Sequence, residues 1–392
     1  MDVVEAFRDR DTRDELGIGV IRDAIADTLF PGTTTLMTRA RYYLFGPWIY
    51  RRLETNRTRS ADVESTDRNR QVALISALLA SGESEGVIGR DRRERLLRLP
   101  SSIYWQGVGV WGIRAYPDSQ SSYFRSLDSY YRALDSAPEH SGDEDAGPAV
   151  SPNWHPSMPG PPSGFPTGAT LQLQRCEAEY LKDRLRSRVG DSLMAWLVTN
   201  SVEPATDVPY AWRHPLFEEF RDTHKRQLVH ARNFSEAIWG APLLYNLMLA
   251  EKHPDAAENG WLEDYQKRWA EWVALMHDGA ARLQAWDLHD FWALADGAAP
   301  QMRPQTRRFI DTWLEGARSD PESMAHGDRG RALVRRREEA LKGPLARLSN
   351  RTALNMWGGS SGSQQLDFRW GTAQVIIDDI IVGLKATDDA RA

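Results

Sequence analysis

A single cysteine, Cys176, stands among the 392 residues, which excludes a disulfide framework and any cysteine-cluster metal site. No apolar run approaches the ~18 residues of a membrane span. Met1 is followed by acidic residues rather than by the basic and apolar regions of a signal peptide. The expectation is a soluble, cytoplasmic protein with no membrane partner. Also missing are a GxSxG elbow, a Cys-His arrangement, a zinc motif and any repeat of fixed period. No cofactor, metal or catalytic residue is therefore expected. A formal charge of −6 argues against a chain that coats nucleic acid as a whole, while leaving a local basic patch open. Tryptophan, by contrast, is abundant: 15 of them supply large, rigid core area.

The chain is organised around residues 14–54, which read as two amphipathic helices joined by a Pro31-Gly32 corner. Ile18, Ile21, Ile25 and Leu29 fall on one face of the first helix. Thr33 to Thr35 offer hydroxyls to cap the second, whose stripe runs from Leu36 through Ala40, Tyr43 and Leu44 to Trp48 and Leu53. Pro47 predicts a kink before Trp48. Tyr43 and Trp48 are expected to pack against later helices.

Beyond this pair, Val4 and Phe7 suggest a short helix, residues 71–80 a strong one, and residues 90–99 another with Leu96, Leu97 and Leu99 inward, stopped by Pro100. Residues 137–168 are dense in Pro, Gly, Ser and acids. They predict a linker, disordered at 139–148 and laid over the surface from Trp154 to Phe165. Residues 170–173 alternate like a short strand before the helix at 175–189. The fold class expected is mainly α and multidomain, with a small α+β, winged-helix-like unit after the Pro-rich linker. The divisions are an N-terminal helical domain (1–136), the linker (137–168), a middle helical domain (169–324) and a C-terminal basic and closing helix (325–392). In the middle domain residues 216–239 predict a long helix that Gly240-Ala241-Pro242 restarts, and Tyr265, Trp269, Trp272, Val273 and Met276 share a face of the next. A last helix carries Ile376, Ile377, Ile380 and Ile381 on one side.

Several blocks are familiar: DELGIG at 14–19, LFPGTTT at 29–35, TRARYYLFGPWIY at 38–50, WHP with PPSGFP at 154–166, GAPLLYNLMLAE at 240–251, and WGGSSG with LDFRW at 357–370. The chain resembles an uncharacterised bacterial family of unknown function that carries such blocks along nearly its whole length. The resemblance implies a component of a bacterial operon, linked to anti-phage defence. Relatives begin earlier, with a WLD-type segment, which makes Met1 a late start here. They also place Thr or Ser where this chain has Gln174, a poorer helix cap.

Candidate sites are few. Arg331, Arg335, Arg336, Arg337, Lys342, Arg347 and Arg351 form a basic run, in which Arg331, Arg335 and Lys342 fall on a common helix face. Such a face suits a phosphate backbone or an acidic protein partner, or is simply solvated. RDRRER at 90–95 is a shorter candidate. Arg39 and Arg41 bind an anion or act as struts; as a strut, Arg39 pairs with Asp23 or Asp27. FPGTTT reads as a phosphate turn or a plain helix corner. His277-Asp278 and His289-Asp290 would suit a metal-dependent phosphodiesterase if they converged. His214 and Glu218 have ligand spacing but stand alone, and Asp378-Asp379 reads as a solvated helix edge. The leading expectation is a non-catalytic component that binds nucleic acid or a protein of the same operon through the basic helix. The phosphodiesterase is the alternative.

Overall fold

The computed structural model describes residues 14–92, 95–136, 150–205, 208–299 and 301–387. The helix expected around Val4 and Phe7 and the disorder expected at 139–148 lie outside them. The described residues are mainly helical and contain no sheet; a lone backbone bridge joins Arg114 to Trp154. Helices of eight or more residues are, in order, α1 (Gly19–Leu29), α2 (Tyr42–Thr55), α3 (Val63–Ala80), α4 (Pro100–Val110) and α5 (Gln120–Ser136). Next come α6 (Arg175–Val189), α7 (Leu193–Asn200), α8 (Asp222–Ala250) and α9 (Trp261–Asp278). The last four are α10 (Leu288–Ala298), α11 (Pro304–Ser319), α12 (Asp328–Lys342) and α13 (Trp370–Lys385). None among the described residues is long and apolar enough to cross a membrane.

Two compact units form, each from two separated segments. Unit 1 joins the segment ending at Thr28 to Tyr210–Phe368. Unit 2 joins Leu29–Pro209 to the segment beginning at Arg369. These boundaries cut across the divisions expected at 136, 168 and 324, and the two helices of the expected hairpin fall in different units.

Unit 2 is built on α2. Its aromatic wall is buried as the stripe predicts, with Tyr43 stacked on Trp111 at 3.8 Å and 5° between planes. The helix starts later than expected, at Tyr42, and Leu36 is exposed. The corner before it is held by side chains instead of helical hydrogen bonds. Trp111 Nε1 donates to Pro31 O (2.9 Å), Tyr43 Oη donates to Gly32 O (2.8 Å), and the amides of Thr38 and Arg39 donate to Tyr104 Oη. Gly32 has φ +83° and a Cβ there would sit 2.6 Å from Trp111, so only glycine fits. FPGTTT is thus a packed corner. α2 runs through Pro47 as one helix.

Two further departures have local causes. The described residues of the expected helix, 90–92 and 95–99, are not helical in that way; Leu97 is exposed, and Pro100 opens α4 at its first turn, where a missing N–H costs nothing. Residues 170–173 form no strand. Leu171 and Leu173 are buried alternately, but the Leu171 amide donates to Glu83 (2.7 Å) and the Thr170 carbonyl accepts from Arg41 (3.0 Å). The winged-helix-like unit is therefore absent among the described residues. Gln174 is a better cap than expected: with Glu177 it forms a reciprocal capping box.

The second half of the expected linker is a packed element of unit 2. Tyr123 Oη, Asn153 Nδ2 and Trp154 Nε1 all donate to Glu54 Oε1, at 2.6, 3.0 and 2.9 Å. Trp48 Nε1 donates to Pro159 O (2.7 Å) and lies edge-on to Phe165. α13 closes the unit against α6 and α7, burying Ile376, Ile377, Ile380 and Ile381.

Unit 1 is arranged about α8, an unbroken helix of 29 residues that passes through Pro242 without the restart expected there. α9, α11 and α12 pack on it. Tyr265, Trp269, Trp272 and Met276 are buried along α9, as their spacing predicts. Trp272 lies against Gly240, where a Cβ would approach its ring to 2.4 Å.

Candidate functional site

Three of the sequence blocks and the basic run meet in unit 1, around Glu15. The DELGIG turn is fixed first by Asp14, whose carboxylate accepts from the amides of Ile18 (2.8 Å) and Gly19 (2.9 Å) at the start of α1. Arg337 on α12 then clamps it, donating from Nε to Leu16 O (2.7 Å) and from Nη2 to Thr306 (2.8 Å). Gly17 has φ +66°, and a Cβ there would lie 2.5 Å from that guanidinium. Glu15 is thereby directed at the end of α12. Its carboxylate accepts from Lys342 Nζ, from Arg347 Nη1 (2.7 Å) and from Ser361 Oγ (2.5 Å). Burial pushes the Glu15 carboxyl up, but the hydrogen bonds from Lys342, Ser361 and Arg347 prevail and hold it at about 2.

A second carboxylate, Glu338, lies beneath. It is fully buried and accepts from Tyr245 Oη (2.6 Å), from the Arg347 amide (2.8 Å) and from the Leu348 amide (3.0 Å). Burial and Glu338 together push the Tyr245 phenol up. Tyr245 belongs to the LLYNLMLAE block, and its neighbour Asn246 reads the WGGSSG block. Asn246 Nδ2 donates to Ser361 O (2.9 Å), and Trp357 Nε1 donates to Asn246 Oδ1 (3.2 Å). Two carboxylates and two cations thus balance inside the fold. Above them opens a groove of about 560 Å³, floored by Glu15, Lys342 and Arg347 and walled by Leu341, Leu345 and Met356. Leu345 and Met356 are 71% and 81% exposed, unusually so for large apolar side chains.

The basic run is not the continuous exposed face its spacing suggests. α12 ends at Lys342, because Gly343 (φ +52°) and Pro344 break it before Leu348. Arg331 makes a double contact with Glu251 at 2.6 and 2.7 Å, and Arg337, Lys342 and Arg347 are the internal groups just described. Arg335, Arg336 and Arg351 remain exposed, with no ion-pair partner among the described residues. In RDRRER, Arg90 pairs with Asp91 (3.2 Å).

Arg39 and Arg41 lie in unit 2. Arg39 pairs with Asp379, not with Asp23 or Asp27; its Nε and Nη2 grip the carboxylate at 2.9 and 2.8 Å while the Ala40 amide adds a third contact. Asp23 is engaged by Arg22. Arg41 reaches Glu177 at 2.7 Å, with side chains 5% and 1% exposed. Asp378 is no solvated edge either: it accepts from the Ala205 amide, and burial pushes its carboxyl up to about 6.

The histidines do not assemble. His277 faces Glu322 (3.2 Å), whereas Asp290 accepts from His230 Nε2 (2.9 Å) and Arg226; His230 Nδ1 accepts from Trp286. His289 is exposed. His214 Nδ1 accepts from the Leu216 amide, and Glu218 pairs with Lys225. Among the described residues no three His, Cys, Asp or Glu side chains are grouped to hold a metal ion.

Glu15, Glu338, Tyr245 and Ser361 escaped the sequence reading. The available signal was the polar Tyr245-Asn246 pair inside an otherwise apolar helical run. Over residues 1–382 the chain matches the family of unknown function DUF6361. No curated protein and no solved structure matches it.

Proposed function

The chain belongs to that family of unknown function, and from this premise we propose that it is a non-catalytic binding component whose unit 1 docks a protein partner in the groove over Glu15. The observation that carries the reading is an apolar rim, Leu341, Leu345 and Met356, left open above a floor whose charges are already neutralised. Buried, such side chains contribute ~1.5–3 kcal/mol each through the apolar surface they remove from water. Arg335 and Arg336 stand exposed on the same helix and suit acidic residues flanking an apolar segment of the partner. The partner is a product of the same operon, and a role beside anti-phage defence genes belongs to this proposal.

A phosphate backbone fits less well, since four of the seven basic groups are engaged internally. The test compares wild type with Leu345→Asp/Met356→Asp in affinity purification from the native host. The partner recovered with wild type should be lost with the double variant. Retention of the same partner defeats the groove. DNA or RNA binding at low salt that disappears in Arg335→Glu/Arg336→Glu would favour nucleic acid instead.

A further inference from the structure

Unit 2 contains a polar cluster of its own. Tyr180 and Arg184 are four residues apart on α6 and share a face. His155, from the WHP block, is set beside them by its backbone: its amide donates to Ile113 O (2.8 Å) and its carbonyl accepts from the Met158 amide (3.1 Å). The His155 and Tyr180 rings are 5.7 Å apart, and the Arg184 guanidinium carbon is 5.8 Å from the Tyr180 ring centre. Arg51 on α2 reaches the same segment, donating to Met158 O (3.4 Å).

Three polar atoms of this cluster, Tyr180 Oη, His155 Nδ1 and Arg184 Nε, are shut off from solvent without a hydrogen-bond partner. Native folds rarely leave buried polar atoms unmatched, and three together mark a place where a ligand completes the set. Tyr180 is 8% exposed and forms the inner end, while His155 and Arg184 are half-buried and Arg51 is exposed, so the outer side is open. The local field is positive. Burial raises the Tyr180 phenol, with the charges of Arg184 and Arg51 pulling against it; burial and then Arg184 lower His155; no carboxylate acts on either. Neither Arg51 nor Arg184 forms an ion pair among the described residues.

We infer that His155, Tyr180, Arg184 and Arg51 form a binding site for a terminal phosphate group, either free inorganic phosphate or the phosphate of a nucleoside monophosphate. Two guanidinium groups match the roughly −1.5 to −2 charge of such a group, and its oxygens offer acceptors to the guanidinium N–H groups on the open side and, with a turn of those side chains, to the phenol and imidazole donors. A carboxylate, with one charge and two oxygens, leaves part of the set unmatched.

The experiment titrates the full chain at low ionic strength with inorganic phosphate, with AMP and with acetate. Calorimetry gives affinity, and the His155 ring resonances report the site. Saturable phosphate or AMP binding that shifts His155 supports the site; AMP tighter than phosphate names a nucleotide, and equal affinity names free phosphate. Arg184→Gln should weaken binding about tenfold or more, and Tyr180→Phe by a smaller factor. If Arg184→Gln fails to fold, Arg184→Lys keeps the charge, removes the Nε donor, and should still weaken binding. A folded wild type that binds neither phosphate nor AMP, acetate binding as tight as phosphate, or an Arg184 variant of unchanged affinity overturns the inference.

Discussion

At the scale of single residues, two buried carboxylates make opposite statements about pH. Asp67 on α3 is raised from 3.8 to about 7, chiefly by burial, with hydrogen bonds from Gln71 and Tyr50 pulling the other way. The folded chain keeps a proton there that the unfolded chain releases, so the contribution is complete below 3.8 and is lost as pH rises through about 7. The difference corresponds to roughly 4 kcal/mol. Asp67→Asn should flatten the fall in stability across that window in denaturant melts; an unchanged fall would mean the proton is held elsewhere. Glu15, held at about 2, contributes above 4.5 and loses its contribution as pH drops through about 2. The Arg41–Glu177 pair makes a different prediction. Arg41→Met strands a carboxylate that is 1% exposed and should cost ~3–5 kcal/mol. Adding Glu177→Gln should recover part of that loss, and additive midpoints in the double variant would show that the two groups do not act as a pair.

At the scale of elements, helix faces were legible and their partners were not. The stripes on α1, α2, α9 and α13 follow from period alone, because burial of one face leaves a local trace in the sequence. Arg39 and Asp379 are 340 positions apart, and Glu15 and Ser361 are 346 apart, so nothing local announces either contact. The segment at 154–166 shows the limit of composition. Pro, Gly and Ser report that a stretch has no core of its own, but not that Glu54 and Trp48 elsewhere supply its acceptor and donor. Arg331, Lys342 and Arg347 misled for a related reason: charge spacing fixes a helix face, and says nothing of carboxylates brought against it. Where two helices touch most closely, the structure predicts a steep response. Gly240→Ala on α8 drives a methyl into Trp272 and should destabilise unit 1 by ~1–3 kcal/mol in thermal or denaturant melts. An unaltered midpoint would mean that α9 shifts away without loss.

At the scale of the molecule, each unit is assembled from distant stretches of chain. A fragment ending at residue 324 lacks α13, which leaves Arg39 without Asp379 and uncovers the apolar faces of α6 and α7. Such a fragment should be recovered unfolded or aggregated, with no cooperative melt. Joining residues 29–209 to 369–387 through a short linker should restore one, because all of unit 2's described segments are then present. This interleaving also sets a timetable for synthesis. The segment ending at Thr28 leaves the ribosome with Ile18, Ile21 and Ile25 bare, and its unit is complete only at Phe368, roughly 340 residues and about 20–70 s later. The newborn chain therefore carries an unsatisfied apolar segment through the synthesis of the intervening residues, and its yield in the cell depends on whatever shields that segment during the wait.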